Sequence, residues 1–166
     1  MVVAASTQPL RPFVVCAVLR GVTFTPQRYA SFIDLQDKLH QNICRRRTLV
    51  AIGTHDLATL VPPFRYSHDT PESFSFVPLS QSRSFTGAAL LDFYRTDPSV
   101  KHIKPYVDIV SGSPVLPVIR DSAGTILSLP PLINSEASKI SLSTKDVFIE
   151  ATATDLSKAH TVLNTL

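Results

Sequence analysis

The 166-residue sequence predicts an α+β fold, a single domain of mixed, mostly antiparallel sheets with roughly three flanking helices. Three observations lead there. Thirteen prolines against five glycines, with prolines at segment borders as in Val61-Pro62-Pro63, Ser113-Pro114 and Leu129-Pro130-Pro131, suit short strands and stiff turns better than a helical bundle. Strand-like stretches outnumber stretches with helical periodicity. No strict strand–helix–strand alternation, the pattern of a parallel sheet, runs along the chain.

The elements follow in order. Arg11-Pro12 opens an apolar run, Phe13 to Leu19, that reads as a buried strand. Thr25-Pro26 starts a helix, with threonine as N-cap and proline tolerated at the first helical position. Tyr29, Phe32, Ile33, Gln36, Leu39 and Ile43 then recur at threes and fours, giving one inward face to about Cys44. Thr48 to Gly53 is the next strand, and Thr54-His55-Asp56 reads as its exit. Residues 61–86, rich in Pro, Ser and Thr, read as loop with short extended pieces around Phe74, Phe76 and Val77. Thr86 caps a helix from Gly87 through Tyr94 that stops at Asp97-Pro98. Val115 to Ile119 and Thr125 to Leu129 form a hairpin, with Gly124 where the turn needs positive φ. From Asp146 to Thr154 the pattern alternates: Val147, Ile149, Ala151 and Ala153 face one way, Phe148, Glu150 and Thr152 the other. Asp155 then caps a last helix carrying Leu156, Ala159, Val162, Leu163 and Leu166.

Composition bounds the function. The chain is 44% hydrophobic and 17% charged, as a globular domain is, with no charge block long enough for a disordered tail. Its net charge of +3 and isoelectric point near 9.0 permit contact with nucleic acid without demanding it. The one concentrated patch, Arg45-Arg46-Arg47, reads either as a cationic cap on a helix C-terminus or as a phosphate contact. Cys16 and Cys44 form no CxxC pair, so a reducing compartment is expected. A zinc site drawn from His40, Cys44 and His55 lacks a fourth ligand, so no metal is expected. No apolar run reaches the ~18 residues of a membrane span, and the N-terminus lacks signal-peptide architecture.

Local motifs are sparse. The sequence holds no GxGxxG, GxxxxGK[ST], GxSxG or HExxH. Three polar clusters remain: Thr54-His55-Asp56, Asn134-Ser135-Glu136, and Glu150 with Thr152. Each also has a plain structural reading, as a strand exit, a turn and the exposed face of an edge strand.

Two long phrases are more specific: FIDLQDKLHQNICRRRTLVAIGTHDL (32–57) and VLPVIRDSAGTILSLPPLINSEASKISLSTKDVFIEATATDLSKA (115–159). They resemble the beta subunit of phenylalanyl-tRNA synthetase of the eukaryotic and archaeal type, in its internal editing domain, and the resemblance runs from about Arg11 to Leu166. Two departures stand out. An acidic residue commonly follows His-Asp-Leu in that family, where this sequence has Ala58, and Pro62-Pro63-Phe64 replaces glycine-proline-phenylalanine. Both are expected on the site rim. Residues 1–166 as a whole look like one domain excised from a longer subunit.

What the resemblance implies is post-transfer editing: hydrolysis of the ester of tyrosine mischarged onto phenylalanine tRNA, in the cytoplasm. The hydrolysis needs no cofactor; ATP and magnesium would serve aminoacylation on other domains. The implied partners are phenylalanine tRNA and the alpha subunit of a heterotetramer, with no membrane. Glu150 is the expected acceptor for the tyrosine hydroxyl, with Phe148, Thr152, Gly53 and Thr54 beside it. Asn134, Ser135 and Glu136 would position the ester or an oxyanion; His55 and Asp56 would orient water or the terminal ribose; Arg45, Arg46 and Arg47 would touch tRNA. The alternative from another class is a non-catalytic tRNA-docking or subunit-packing module.

Overall fold

The computed structural model describes residues 1–7 and 10–166. Among these residues ten strands form three sheets. The first sheet is five-stranded, in the order β1 (Val2–Val3), β4 (Arg65–Asp69), β7 (Leu116–Arg120), β8 (Ile126–Leu129), β9 (Ile133–Asn134). All its pairings are antiparallel except β1 with β4. The second is a three-stranded antiparallel sheet in which β10 (Val147–Ala153) lies between β2 (Phe13–Leu19) and β3 (Val50–Asp56). β5 (Ser75–Phe76) and β6 (Phe85–Thr86) make a small ribbon. Four α-helices among the described residues complete the fold: α1 (Pro26–Gln41), α2 (Gly87–Thr96), the single-turn α3 (Lys104–Val107) and α4 (Leu156–Leu163).

The apolar clusters reveal the layers. Val147, Ile149, Ala151 and Ala153 pack with Ala159 and Val162 of α4 and with Tyr29, Phe32 and Leu39 of α1. On the opposite face Phe148, Val14 and Cys16 meet Tyr66, Ile119 and Leu127 of the larger sheet. That sheet's outer face, through Leu116, Val118, Ile126 and Leu129, is covered by Leu90 and Tyr94 of α2 and Val107 of α3. The order is helix, sheet, sheet, helix. Period-two alternation in both sheets makes this possible, because each strand offers apolar residues to two sides.

Helix starts follow the expected chemistry. The side chains of Thr25, Thr86 and Asp155 accept hydrogen bonds from the backbone N–H of Arg28, Ala89 and Lys158. Gly124 has φ of 89°, as the hairpin turn requires.

Several expectations are corrected. The strand assigned to residues 48–53 runs on to Asp56, so Thr54-His55-Asp56 lies within it rather than in an exit. The segment read as loop between 61 and 86 contains β4, which sits inside the five-stranded sheet with its middle three residues, Tyr66, Ser67 and His68, buried. Its sequence, Arg-Tyr-Ser-His-Asp, carries little apolar alternation to announce a strand. β10 is the centre of its sheet with all seven residues buried, so the reading of Glu150 and Thr152 as an exposed edge face fails.

Candidate functional site

Strand β3 forms one edge of the three-stranded sheet. Between that edge, helix α1 and the 128–134 segment lies a cavity of about 420 Å³. Ile52 and Thr54 of β3, Gln36 and His40 of α1, and Ser128, Leu132 and Asn134 opposite contribute to its wall. Glu150 reaches it from the neighbouring strand.

Glu150 arrives there because position 53 has no side chain. Gly53 is its register partner, and a Cβ built on Gly53 would stand 2.2 Å from Glu150 Oε1. The carboxylate occupies the space that any other residue would fill. Ser128 Oγ–H donates to Oε1 at 2.9 Å and holds the group in place. The residue is 2% exposed, and Oε2 has no hydrogen-bond partner among the described residues. A buried, unpaired carboxylate oxygen is costly unless a donor arrives to meet it.

His55 lies behind this carboxylate rather than in the cavity. It is fully buried, its Nδ1 is 2.8 Å from Ser138 Oγ, and its Nε2 stands 3.9 Å from Glu150 Oε1. Asp56 is occupied elsewhere: its carboxylate caps the turn Leu57–Thr59 through Ala58 N–H and accepts from Thr144 Oγ at 2.7 Å. Neither lines the cavity, where the sequence reading expected them beside water or ribose. His55 points to the inter-sheet face behind the Glu150 carboxylate, against Ser138, and Asp56 ends the strand.

The Asn134–Glu136 segment divides similarly. Asn134 lines the cavity and its amide donates to Thr54 C=O at 3.4 Å. Ser135 caps the turn Glu136–Ser138. Glu136 is a clamp: Oε2 accepts the Ser80 N–H at 2.8 Å and Oε1 pairs with Lys139 at 3.1 Å. The Ser80 amide bond holds its carboxyl below the usual range, with Lys139 adding to the effect. Ser80, in the left-handed region at φ 64°, and Leu79 form part of the cavity wall, so Glu136 shapes that wall from behind.

Phe148 packs its ring 4.3 Å from that of Phe64, and Thr152 accepts from Arg11, so both support the site from the inter-sheet core without lining it. Ala58 and Pro62-Pro63 also lie away from the cavity, which corrects their expected place on its rim. The three arginines separate. Arg45 and Arg46 are exposed, while Arg47 donates to Leu132 C=O at 2.8 Å and stacks over Tyr106 at 4.3 Å. All three have φ between 47° and 67°, so they form a left-handed turn beyond α1 rather than a helical cap.

Some site residues carried no signal of this role in sequence. Ser128 sits in an apolar hairpin strand, and His40 is one polar residue on a helix. His40 Nε2 accepts the Ile52 N–H at 2.9 Å. Burial, then the charges of Arg47 and Arg11, push its pKa down to about 3, so the ring stays neutral and keeps that acceptor. Among the described residues no cluster of His, Cys, Asp or Glu could hold a metal, and no helix is long and apolar enough to cross a membrane.

Comparison with known proteins gives consistent matches. The B3/4 domain family matches residues 12–165. The cytoplasmic phenylalanine–tRNA ligase beta subunit of Arabidopsis thaliana is 60% identical over 166 residues, covering all of this chain and 27% of that protein. The human phenylalanine–tRNA ligase beta subunit is 49% identical over 164 residues, covering 99% of this chain and 27% of its own length. This chain therefore spans about a quarter of these curated relatives. A crystal structure of an N-terminal fragment of the Pyrococcus horikoshii phenylalanyl-tRNA synthetase beta subunit superposes with a TM-score of 0.89 at 30% identity, covering 98% of this chain and 45% of that one.

Proposed function

The chain belongs to the B3/4 domain family, in its phenylalanine–tRNA ligase beta-subunit form, and from that premise we propose that it performs post-transfer editing, hydrolysing the ester of tyrosine wrongly attached to phenylalanine tRNA. The observation that carries this reading is the unpaired Oε2 of Glu150, buried at the wall of the cavity. A synthetic pocket shaped for phenylalanine rejects an added hydroxyl by only about a hundredfold. A second site can select the hydroxyl itself. Tyrosine's phenol O–H donates to Oε2 and removes a buried deficit, whereas phenylalanine leaves it unmet at a cost of about 1–3 kcal/mol.

In the reaction, water's oxygen bonds to the ester carbonyl carbon and the bond from that carbon to the ribose oxygen breaks. The water's proton ends on the ribose oxygen, leaving tyrosine and tRNA with a free terminal hydroxyl. The Asn134 amide, at the cavity wall, supplies a donor near the ester. His55 and Asp56, being turned away, leave the substrate's own ribose hydroxyl or ammonium to assist the water. No cofactor enters this step, and ATP and magnesium belong to aminoacylation on other domains.

The wider reading follows. The domain works within a cytoplasmic ligase beside an alpha subunit and receives the tRNA end from the aminoacylation core. Arg45 and Arg46, exposed and without an ion pair among the described residues, are offered to the phosphate backbone. The test is deacylation of tyrosyl- and phenylalanyl-tRNA, both on phenylalanine tRNA, with and without Glu150→Ala. We expect faster release of tyrosine, and a fall of about tenfold or more in the tyrosine-to-phenylalanine rate ratio in the variant. An unchanged ratio would sink the role given to Glu150.

A further inference from the structure

The open edge of β3 carries a second feature. Among the described residues β3 pairs only with β10, and an antiparallel ladder turns the N–H and C=O of alternate residues outward. The Ile52 N–H donates outward to His40, and the Thr54 C=O accepts outward from Asn134. Between these two satisfied groups lie Ile52 C=O and Thr54 N–H, which have no partner among the described residues. Both residues line the cavity.

A carbonyl and an N–H that flank one residue form the slot that a parallel neighbour fills. The neighbour's N–H donates to the first group and its carbonyl accepts from the second. Here the slot is one residue long, because His40 and Asn134 close its two ends. The residue it flanks is Gly53, over which the Glu150 carboxylate lies.

We propose that the β3 edge binds the α-amino and carbonyl groups of the aminoacyl ester as one residue of parallel strand, the ammonium donating to Ile52 C=O and the ester carbonyl accepting from Thr54 N–H. This rests on the aminoacyl-ester reading above. Parallel partners place their side chains on the same face of a sheet. An L-aminoacyl group therefore sends its side chain to the face where the Glu150 carboxylate sits, and a D-group sends it toward α1. The parallel direction carries the ester oxygen toward the Asn134 end. The Thr54 N–H, fixed in the strand, also stabilises charge on the carbonyl oxygen as water adds.

The test uses this chain with L-tyrosinamide, which keeps both groups and resists hydrolysis, and follows backbone amide hydrogen exchange by NMR. Saturating L-tyrosinamide should slow exchange at Thr54 by about tenfold or more while leaving the already bonded Ile52 N–H unchanged. D-tyrosinamide and 3-(4-hydroxyphenyl)propionamide, which lacks the amino group, should give no such protection at the same concentration. L-tyrosinamide that shifts the Ser128 and Glu150 resonances but leaves Thr54 exchanging at its free rate overturns the edge contact and leaves tyrosine selection standing. Equal protection of Thr54 by L-phenylalaninamide keeps the edge contact and removes the selective role of Glu150. Absence of binding by every amide at millimolar concentration overturns the proposal.

Discussion

At the scale of single residues the site depends on an absence. Gly53 is required not for its backbone freedom but because Glu150 fills its side-chain volume. Gly53→Ala should push the carboxylate off Ser128, destabilise the fold by about 1–3 kcal/mol and reduce selectivity for tyrosyl ester. In Glu150→Ala the same alanine should cost less, meeting only His55 Nε2 at 2.9 Å, so a double-mutant cycle in thermal unfolding and in the tyrosine-to-phenylalanine rate ratio should show coupling. Additive effects would contradict the shared volume. His40 makes a pH prediction. The unfolded chain protonates this ring near its ordinary 6.5, but the folded protein does so only near 3. Between those values the unfolded state holds the extra proton, so stability falls as pH falls and is fully present above 6.5. Denaturant titrations of His40→Gln across that window should show a flatter dependence, by up to about 1.4 kcal/mol per pH unit. Of these residues Glu150 could be singled out from sequence, through its strand phrase and the family resemblance. Gly53 was placed beside it without its reason, Ser128 gave no signal and His40 was read only as part of an incomplete zinc set, because their partners lie 22 and 12 positions away in a fold that no local pattern encodes.

At the scale of elements, legibility follows apolar contrast. The hairpin of β7 and β8, the strand β10 and helices α1, α2 and α4 stand out because their caps, turns and periodicities agree. β4 escaped because its buried residues include Ser67 and His68, which pair across to β7 with no apolar signature. The Asn134–Glu136 segment was identified as a unit, yet its members divide between wall, cap and clamp. The clamp is testable. Glu136→Gln should loosen the Leu79–Ser80 wall, lowering kcat/KM for the tyrosyl ester by about threefold to tenfold while stability changes by less than about 0.5 kcal/mol, as for a half-buried side chain whose replacement keeps an acceptor for the Ser80 N–H. Steady-state deacylation beside thermal unfolding would check both, and a large stability loss with unchanged kcat/KM would refute it.

At the scale of the molecule, Arg11 ties the layers together. It is 1% exposed; its guanidinium donates to Thr152 in β10 and to the carbonyls of Arg47 and Thr48, while its own carbonyl accepts from Tyr66 of the larger sheet. Arg11→Met should leave those carbonyls unsatisfied and cost about 3 kcal/mol or more in denaturant unfolding. A neutral result would make the arginine a passenger. The four-layer arrangement was only partly readable in advance: composition and alternation indicated antiparallel α+β, but which faces meet is decided by long-range pairing.

That pairing has a consequence for the order in which the molecule can come into being. Within this chain β2 and β3 are made well before β10, the strand that joins them, which follows β9. Until residues 147–153 emerge the two outer strands have no partner and Gly53 has no glutamate above it. The three-stranded sheet and the seat of Glu150 therefore form together and only once β10 is made, and a nascent chain halted before Val147 exposes unpaired strand edges open to aggregation.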